Sequence, residues 1–247
     1  MYHMIPLFKS HYSIGKSILR LDGGEGIFDI AKDLNLKKVV LVEDSLTGFL
    51  ETAKVSKEYK IDFIFGLRIS LCESDLSAET NDCHKIIVFA KNGEGCKLLN
   101  KIYTKAFSNG NQSILIKDLK KLWNEKLLKL AIPFYDSFIF NNTLLFSKCM
   151  PSFDFTNPTF FLEENGLPFD SIITEEVNEF CKKQNMKMEN TKTIYYTKRE
   201  DFSAFQTYKL ICNRSGWRAK STSLECPNLD HFGSQDFCVE SLQLATS

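Results

Sequence analysis

Short runs of β-branched and aromatic residues alternate with amphipathic segments along most of this chain, and this alternation constrains the fold more than any other feature. Residues 38–42 (KVVLV) are too uniformly apolar for a strand with one face in water, so they indicate a buried parallel strand. Residues 93–107 place apolar side chains at helical spacing, which predicts a helix. The same criteria predict strands at 5–8, 61–65, 84–90, 128–134, 137–140, 159–162 and 193–196, and helices at 26–34, 46–59, 169–184, 200–213 and 234–242.

Repeated strand–helix units of this kind predict an α/β protein in which helical crossovers join the strands of a parallel sheet. We expect the sheet to close into an irregular β/α barrel of about seven strands. Residues 39–42, 62–65 and 85–89 are expected to be adjacent inner strands of that barrel. In such a barrel, any active site lies in the loops at the C-terminal ends of the strands.

The composition is that of an ordinary globular protein, with 43% hydrophobic and 25% charged residues, which argues against a disordered or fibrous chain. No apolar run approaches the ~18 residues of a membrane span, and the first residues lack the apolar segment of a secretory signal. Lys plus Arg and Asp plus Glu each total 31. A chain without a basic excess is a poor candidate for strong nucleic-acid binding on its own. We therefore expect a cytoplasmic protein without membrane contact.

The eight cysteines are scattered through apolar stretches and form no CxxC pair, which argues against a zinc ribbon or a thioredoxin motif. Without a secretory signal, we interpret them as buried free thiols in a reducing compartment. Cys83 and His84 are neighbours in a predicted strand, where adjacent side chains point to opposite faces. A nucleophile–base pair is therefore not expected at these two residues.

Five segments follow one another in an order that identifies a family. They are FKSHYSIGKSIL (8–19), VVLVEDSLTGFLE (39–51), IDFIFGLRIS (61–70), HKIIVFAKNGEGCKLLNKIYTKAF (84–107) and TIYYTKREDFSAFQTYKLICN (193–213). Together they resemble the N-terminal PHP (polymerase and histidinol phosphatase) domain of bacterial DNA polymerase III alpha subunits. The resemblance implies a distorted TIM-like barrel over residues 1–213. It also implies an extension over residues 214–247, leading toward a polymerase palm that this sequence does not include.

Metal-binding PHP domains hold two or three metal ions at the barrel mouth, where such ions activate water for phosphoester hydrolysis. The resemblance aligns several of their ligand positions with residues of another type. The family's first HxH motif falls on Leu7 and Lys9, and the Asp of the following turn falls on His11. The glutamate after the third strand falls on Arg68. A lysine and an arginine bring positive charge to a position that the family uses for cations.

Among the remaining ligand positions, some have lost the residue type of the family and others have kept it. The cysteine near the fifth strand aligns with Tyr135, and the closing Asp-x-His aligns with Lys192 and Ile194, although a shift of one residue is allowed there. Asp44 and His84 keep the ligand type of the family, so a one-metal remnant at these two residues is the alternative to a lost metal site. A site this short of ligands neither holds several metals nor lowers the pKa of bound water.

The expected result is a vestigial pocket without catalytic residues, metal or other cofactor. Lys9, Arg68 and Lys192 are expected to point toward the same mouth and to pair with acidic neighbours, chiefly Glu43 and Asp44. At least one of Lys9 and Arg68 should lie within salt-bridge distance of these carboxylates. Arg68 is the better candidate, because its planar fork binds a carboxylate through two contacts.

The leading functional hypothesis is a non-catalytic PHP module of a replication protein, which supports a polymerase palm or docks a proofreading exonuclease. One alternative is a metal-dependent phosphoesterase or 3′–5′ exonuclease with a reduced ligand set. Another is a freestanding phage protein that binds a host replication factor. Each of these follows from the resemblance, and the ligand positions favour the first.

Overall fold

Eight strands and eight helices are formed within the residues that the computed structural model describes, which are 4–73, 83–108, 110, 112–212 and 233–246. The strands are β1 (Ile5–Phe8), β2 (Lys38–Glu43), β3 (Asp62–Cys72), β4 (Cys83–Ala90), β5 (Ser113–Leu115), β6 (Leu128–Ile132), β7 (Thr159–Leu162) and β8 (Lys187–Ile194). The helices are α1 (Ile27–Asp33), α2 (Phe49–Tyr59), α3 (Gly93–Phe107), α4 (Ile116–Leu122), α5 (Phe138–Leu145), α6 (Asp170–Gln184), α7 (Phe202–Cys212) and α8 (Val239–Thr246), and a 3-10 turn at Arg199–Asp201 precedes α7.

Seven of the strands close into a barrel. The hydrogen-bonded order is β2-β1-β8-β7-β6-β4-β3, and a β2–β3 pairing closes the ring, while β5 adds to β3 outside it. The predicted irregular β/α barrel is therefore confirmed, and so is the adjacency of β2, β3 and β4. One strand departs from the parallel arrangement, because β4 runs antiparallel to both β3 and β6.

Alternation along the strands divides the apolar core into two layers. The layer between sheet and helices is the larger and contains residues such as Phe8, Leu41 and Leu67. The layer inside the barrel is small and consists of Leu7, Val42, Ile87, Phe89, Ala131 and Phe161. Gly66 lies among these inner residues, and a Cβ atom there would fall 2.5 Å from the Phe89 ring. The glycine therefore leaves the space that this ring occupies.

Some of the predicted elements are of the wrong type or are displaced. Residues 137–140 form the start of α5 rather than a strand, and the Ser137 side chain caps the helix by accepting a hydrogen bond from the Phe140 amide at 3.2 Å. A short apolar run fits either element, and this cap favours the helix. The last barrel strand is Lys187–Ile194 rather than 193–196, because its polar sequence hides the strand pattern. Strand β5 and helix α4 were not predicted.

The C-terminal region packs against the barrel where it is described. The Tyr195 amide donates a hydrogen bond to the Phe237 carbonyl at 2.9 Å, and Tyr196 bridges to Cys238. The helix predicted at 234–242 begins later, at Val239. Residues 213–232 lie outside the described part of the chain, so the boundary at 213 stays a prediction.

A disulfide corrects the interpretation of the cysteines as free thiols. Cys72 and Cys83 face each other at the ends of β3 and β4 and are bonded, with their Cα atoms 4.2 Å apart. Sequence alone gave no signal for this pair, because antiparallel pairing of β3 with β4 is what brings the two residues together. Other cysteines in the described residues, such as Cys149 and Cys181, are buried and form no disulfide. Within the described part of the chain, no helix combines the length and apolarity that crossing a bilayer requires.

Candidate functional site at the C-terminal end of the barrel

Three charged side chains meet at the end of the barrel where the parallel strands finish. Lys9 directly follows β1, Asp44 directly follows β2, and Arg68 lies in β3. Leu7 and Val42 are inner-layer residues, so the side chains two positions later, at Lys9 and Asp44, also face inward. The sequence therefore brings two cations and a carboxylate to one mouth through ordinary strand alternation.

Ion pairs link these side chains. The Lys9 Nζ atom lies 2.9 Å from Asp44 Oδ2, and an Arg68 guanidinium nitrogen lies 3.8 Å from Asp44 Oδ1. The expectation that Lys9 or Arg68 reaches a carboxylate at this position therefore agrees with the geometry, but Lys9 makes the closer contact. The shortest contact of Arg68, at 2.5 Å, is with Asp136 in the loop after β6. Both cations lie within salt-bridge distance of Asp44, but Lys9 rather than Arg68, the expected better candidate, is its closer partner.

The charged groups in this cluster shift one another's pKa values. Burial would raise the pKa of Asp44, but the charges of Lys9 and Arg68 outweigh it and hold that pKa at about 2. Burial lowers the pKa of Lys9, and Asp44 opposes this effect. Burial also disfavours the charged form of Arg68, but Asp136 and Asp44 raise its pKa above the usual value. Asp44 is thus a carboxylate whose charge is already balanced by two protein cations.

Glu43 faces the opposite side of β2 and takes no part in these ion pairs. It is fully buried, and its carboxylate accepts hydrogen bonds from the Ser10 amide at 2.8 Å and from the Ser13 hydroxyl. The Ser13 oxygen in turn accepts a hydrogen bond from the Asp44 amide at 3.0 Å. Burial raises the pKa of Glu43, and Lys9 opposes the shift. This glutamate fixes the loop after β1, which is a structural role that the expected pairing with a cation did not include.

A second polar network lies beside the ion pairs. The Tyr135 hydroxyl donates to Asp170 Oδ1 at 3.0 Å and accepts from the Asn165 amide group at 2.9 Å. Asn165 also donates to Glu163, whose carboxylate accepts further hydrogen bonds from the amide and hydroxyl of Thr193. Burial raises the pKa of Glu163 and of Tyr135. Tyr135 therefore acts as a neutral hydrogen-bonding group between β6 and α6.

The closing strand positions are shifted by one residue. Thr193 and Tyr195 line a small cavity of about 40 Å³ inside the mouth, together with Lys9, Arg68 and Tyr135. Ile194 belongs instead to the outer apolar layer, and the Lys192 ammonium donates to the Glu164 carbonyl at 3.0 Å. Lys192 therefore does not join Lys9 and Arg68, which corrects the expectation of three cations in one place.

The two remaining histidine candidates are not members of these ion pairs. His84 is buried on the outer face of β4, with its Nδ1 atom 3.5 Å from the Cys149 sulfur and its ring 5.6 Å from that of Phe138. Burial lowers the pKa of His84 to about 4, so it is neutral at physiological pH. His11 lies in the loop after β1, with its Nδ1 atom 3.3 Å from the Leu19 carbonyl oxygen, and it lines an open cavity of about 590 Å³ at the mouth together with Asp44 and Arg68.

Sequence reasoning missed Asp136, Lys85 and Glu163. Asp136 has a left-handed backbone with φ of 61°, and a short polar residue in the loop after an apolar strand was the available signal for it. Lys85 lies on the inner face of β4 and donates to the Ser70 hydroxyl at 2.8 Å. Burial, and then the charge of Arg68, lowers the pKa of Lys85 to about 8. Lys85 looked like an ordinary strand lysine because the antiparallel register that brings it close to Arg68 was not known.

The donor set at the mouth does not fit a metal cluster. Among the described residues, no group of three or more His, Cys, Asp and Glu side chains is arranged to hold a metal ion. Asp44 is balanced by Lys9 and Arg68, Glu43 faces the other side of its strand, and His84 faces the outer layer. The residues that remain at the mouth can bind and orient one another, but they offer no ligand cage.

The comparisons with known proteins add little to this geometry. No family model and no curated protein matches the chain. Among solved structures, one match is a "putative metal-dependent phosphoesterase" from Bifidobacterium adolescentis, with 15% sequence identity and a TM-score of 0.27. The match covers 42% of this chain and 34% of that chain. At this level of similarity the match carries no argument, and the fold rests on the strand pairings described above.

Proposed function

We propose that this chain is a non-catalytic, PHP-like module of a DNA polymerase III alpha-like replication protein, with a structural and partner-binding role. The five segments that resemble the PHP domain support the family assignment. The observation that carries the non-catalytic part is the Lys9–Asp44–Arg68–Asp136 chain of ion pairs at the barrel mouth. Two protein cations lie at Asp44, where metal-dependent hydrolysis needs metal ligands.

The energetic argument against metal binding is electrostatic. A divalent ion at Asp44 would lie beside the Lys9 ammonium, whose side chain is only 5% exposed and therefore poorly screened by water. Removing Lys9 and Arg68 from the carboxylate would leave buried charges without partners, which costs several kcal/mol. The ion pairs therefore compete directly with any metal.

The test of the non-catalytic role is metal content together with hydrolysis. Purified protein is incubated with Mn²⁺ or Zn²⁺, dialysed and subjected to elemental analysis, and its activity on bis(p-nitrophenyl) phosphate is measured. We expect less than one tightly bound metal ion per chain and no hydrolysis above the rate of a metal-only blank. Arg68→Glu restores one carboxylate and should not start hydrolysis, because the other ligands are still missing. Two or more bound metal ions with hydrolysis would support the metal-dependent phosphoesterase alternative instead.

Partner binding is supported by an apolar group at the end of α5. Phe146 is 87% exposed, and Leu145 and Met150 are also largely exposed. The Asn142 side chain donates to the Cys149 carbonyl at 2.8 Å, which holds the following segment against the helix. Exposed apolar side chains grouped in this way are typical of protein interfaces.

We propose that this group contacts the polymerase palm or the proofreading exonuclease of the same replication system. The test is co-purification of the chain with each of these proteins. Phe146→Asp should abolish the association, whereas Ile211→Asp, at another exposed apolar residue on α7, should preserve it. Association that Phe146→Asp leaves unchanged would refute this interface. Association with a host replication factor alone would favour the freestanding phage protein.

A further inference from the structure

A cavity of about 640 Å³ opens at the opposite end of the barrel, where the parallel strands begin. Its walls include Ile5 of β1, Val40 of β2 and Ile64 of β3, which are only partly buried. Buried Leu7, Phe89 and Phe161 also line it. The volume lies in the range of small-molecule binding sites.

Open apolar space at this place is unusual. The interiors of small β/α barrels are filled by layers of inward-facing side chains. Here the layer with Leu7 and Val42 is packed, whereas the layer below it, with Ile5, Val40 and Ile64, faces the cavity. Apolar surface that is left in contact with water costs free energy, and an apolar ligand would remove that cost.

The charges around the cavity favour an anion. Four lysines line it, Lys38, Lys57, Lys91 and Lys129, against two acidic residues, Asp62 and Glu189. Glu189 is engaged by Lys129 at 3.3 Å and by Lys187 at 2.7 Å. Within the described residues, no carboxylate lies within ion-pair distance of Lys38 or Lys57. These two lysines are therefore available to a negatively charged group at the rim.

We propose that this cavity binds a small apolar carboxylate, with its hydrocarbon body against Val40 and Ile64 and its carboxylate near Lys38 and Lys57. The site is distinct from the ion pairs at the C-terminal mouth and does not rest on the proposed replication role. An apolar body and a single negative charge are the two properties that the walls and the rim select together.

The experiment is isothermal titration calorimetry of the full chain with octanoate, octanol and octylammonium. We expect saturable octanoate binding with a Kd below about 1 mM, in keeping with the affinity that ligands of this size reach. Octanol should bind at least about threefold more weakly, and octylammonium should bind most weakly, because the rim is basic.

Variants localise the binding. Val40→Phe fills the cavity and should weaken octanoate binding at least about tenfold, and Ile64→Phe serves the same purpose if the first variant does not fold. The double variant Lys38→Gln/Lys57→Gln should remove the preference for octanoate over octanol. The matched control is Lys54→Gln. It removes an exposed lysine from α2, the helix that carries Lys57, at a position that does not line the cavity. The proposal is overturned if octanoate does not bind, if octanol binds equally well to the wild-type chain, or if Val40→Phe leaves binding unchanged.

Discussion

The two ends of this barrel differ in the chemistry of the side chains that face the interior. At the C-terminal mouth these side chains are charged and balance one another, with Lys9 and Arg68 around Asp44 and Asp136 beside Arg68, and Asp44 and Arg68 border an open cavity of about 590 Å³. At the N-terminal end aliphatic side chains face a cavity of about 640 Å³, with Lys38 and Lys57 at its rim. The two ends therefore differ in chemistry rather than in free space, since paired charges face the mouth, which is the usual place for active sites in a β/α barrel, and apolar groups face the opposite end.

The largest loss of stability is expected from Arg68→Ala at the mouth. The change leaves Asp136 without its 2.5 Å partner and Asp44 with only Lys9. Breaking a fully buried pair by removing one partner costs about 3–5 kcal/mol, and because the Asp136 side chain is 44% exposed we expect the lower end, about 3 kcal/mol of lost unfolding free energy, in urea denaturation. The control Lys54→Ala removes a lysine from an exposed pair with Glu51 and should change stability by less than about 0.5 kcal/mol. Equal midpoints for Arg68→Ala and the wild-type chain would mean that the mouth cluster does not hold the fold together.

The next effect is a loss of stability in mild acid, through His84 near the same end of the barrel. Burial lowers the pKa of His84 to about 4, against about 6.5 in the unfolded chain. Between these values the unfolded state binds more protons, so stability falls as the pH is lowered from 6.5 to 4, by up to about 3 kcal/mol. In urea titrations at several pH values, His84→Leu should flatten this dependence. Cys149→Ser should keep it, because burial is the cause of the shift. A wild-type slope in His84→Leu would place the acid sensitivity elsewhere.

The smallest expected change in stability distinguishes the packed layer of the barrel interior from the open one. Val42 is 5% exposed in the packed layer, whereas Val40, two residues earlier on the same face of β2, borders the cavity. Val42→Phe should overpack the interior and cost about 2 kcal/mol. Val40→Phe should change stability by less than about 1 kcal/mol, because its ring enters free space. Thermal unfolding of the two variants side by side measures this contrast, and equal losses would show that the N-terminal end is not open.

Sequence patterns predicted the barrel because its inner strands carry strong local signals. Residues 39–42 are apolar on both faces, as expected for a strand between the outer helices and the barrel interior. Strand β8 escaped the prediction because Glu189, Thr191 and Thr193 are among its polar residues. Residues 137–140 were misassigned because four apolar and polar residues fit a strand and a capped helix equally well. Local patterns cannot decide such cases, since tertiary contacts do.

The sequence predicted which charged residues lie at the mouth, but it did not predict all of the ion pairs that they form. The PHP-like alignment placed Lys9, Arg68 and Asp44 near one another, and the distances agree with this. It could not place Asp136, because the left-handed turn that brings this carboxylate to Arg68 depends on the loop conformation. Lys192 was placed one residue away from the inner face, and a one-residue error in a strand moves a side chain to the other face. The disulfide was missed for a related reason, since it depends on the antiparallel register of β3 and β4.

The central claim is that the charges at the mouth act as a structural ion-pair cluster, and a double-mutant cycle between Lys9 and Asp44 tests it most directly. Unfolding free energies are measured at pH 7 for the wild-type chain, Lys9→Met, Asp44→Asn and the double variant. The same cycle on the exposed pair Lys54 and Glu51 serves as the reference. We predict a coupling free energy of about 1.5 kcal/mol or more for Lys9 and Asp44, because the Lys9 side chain is only 5% exposed. A coupling below about 0.5 kcal/mol, as for an exposed surface pair, would contradict the account.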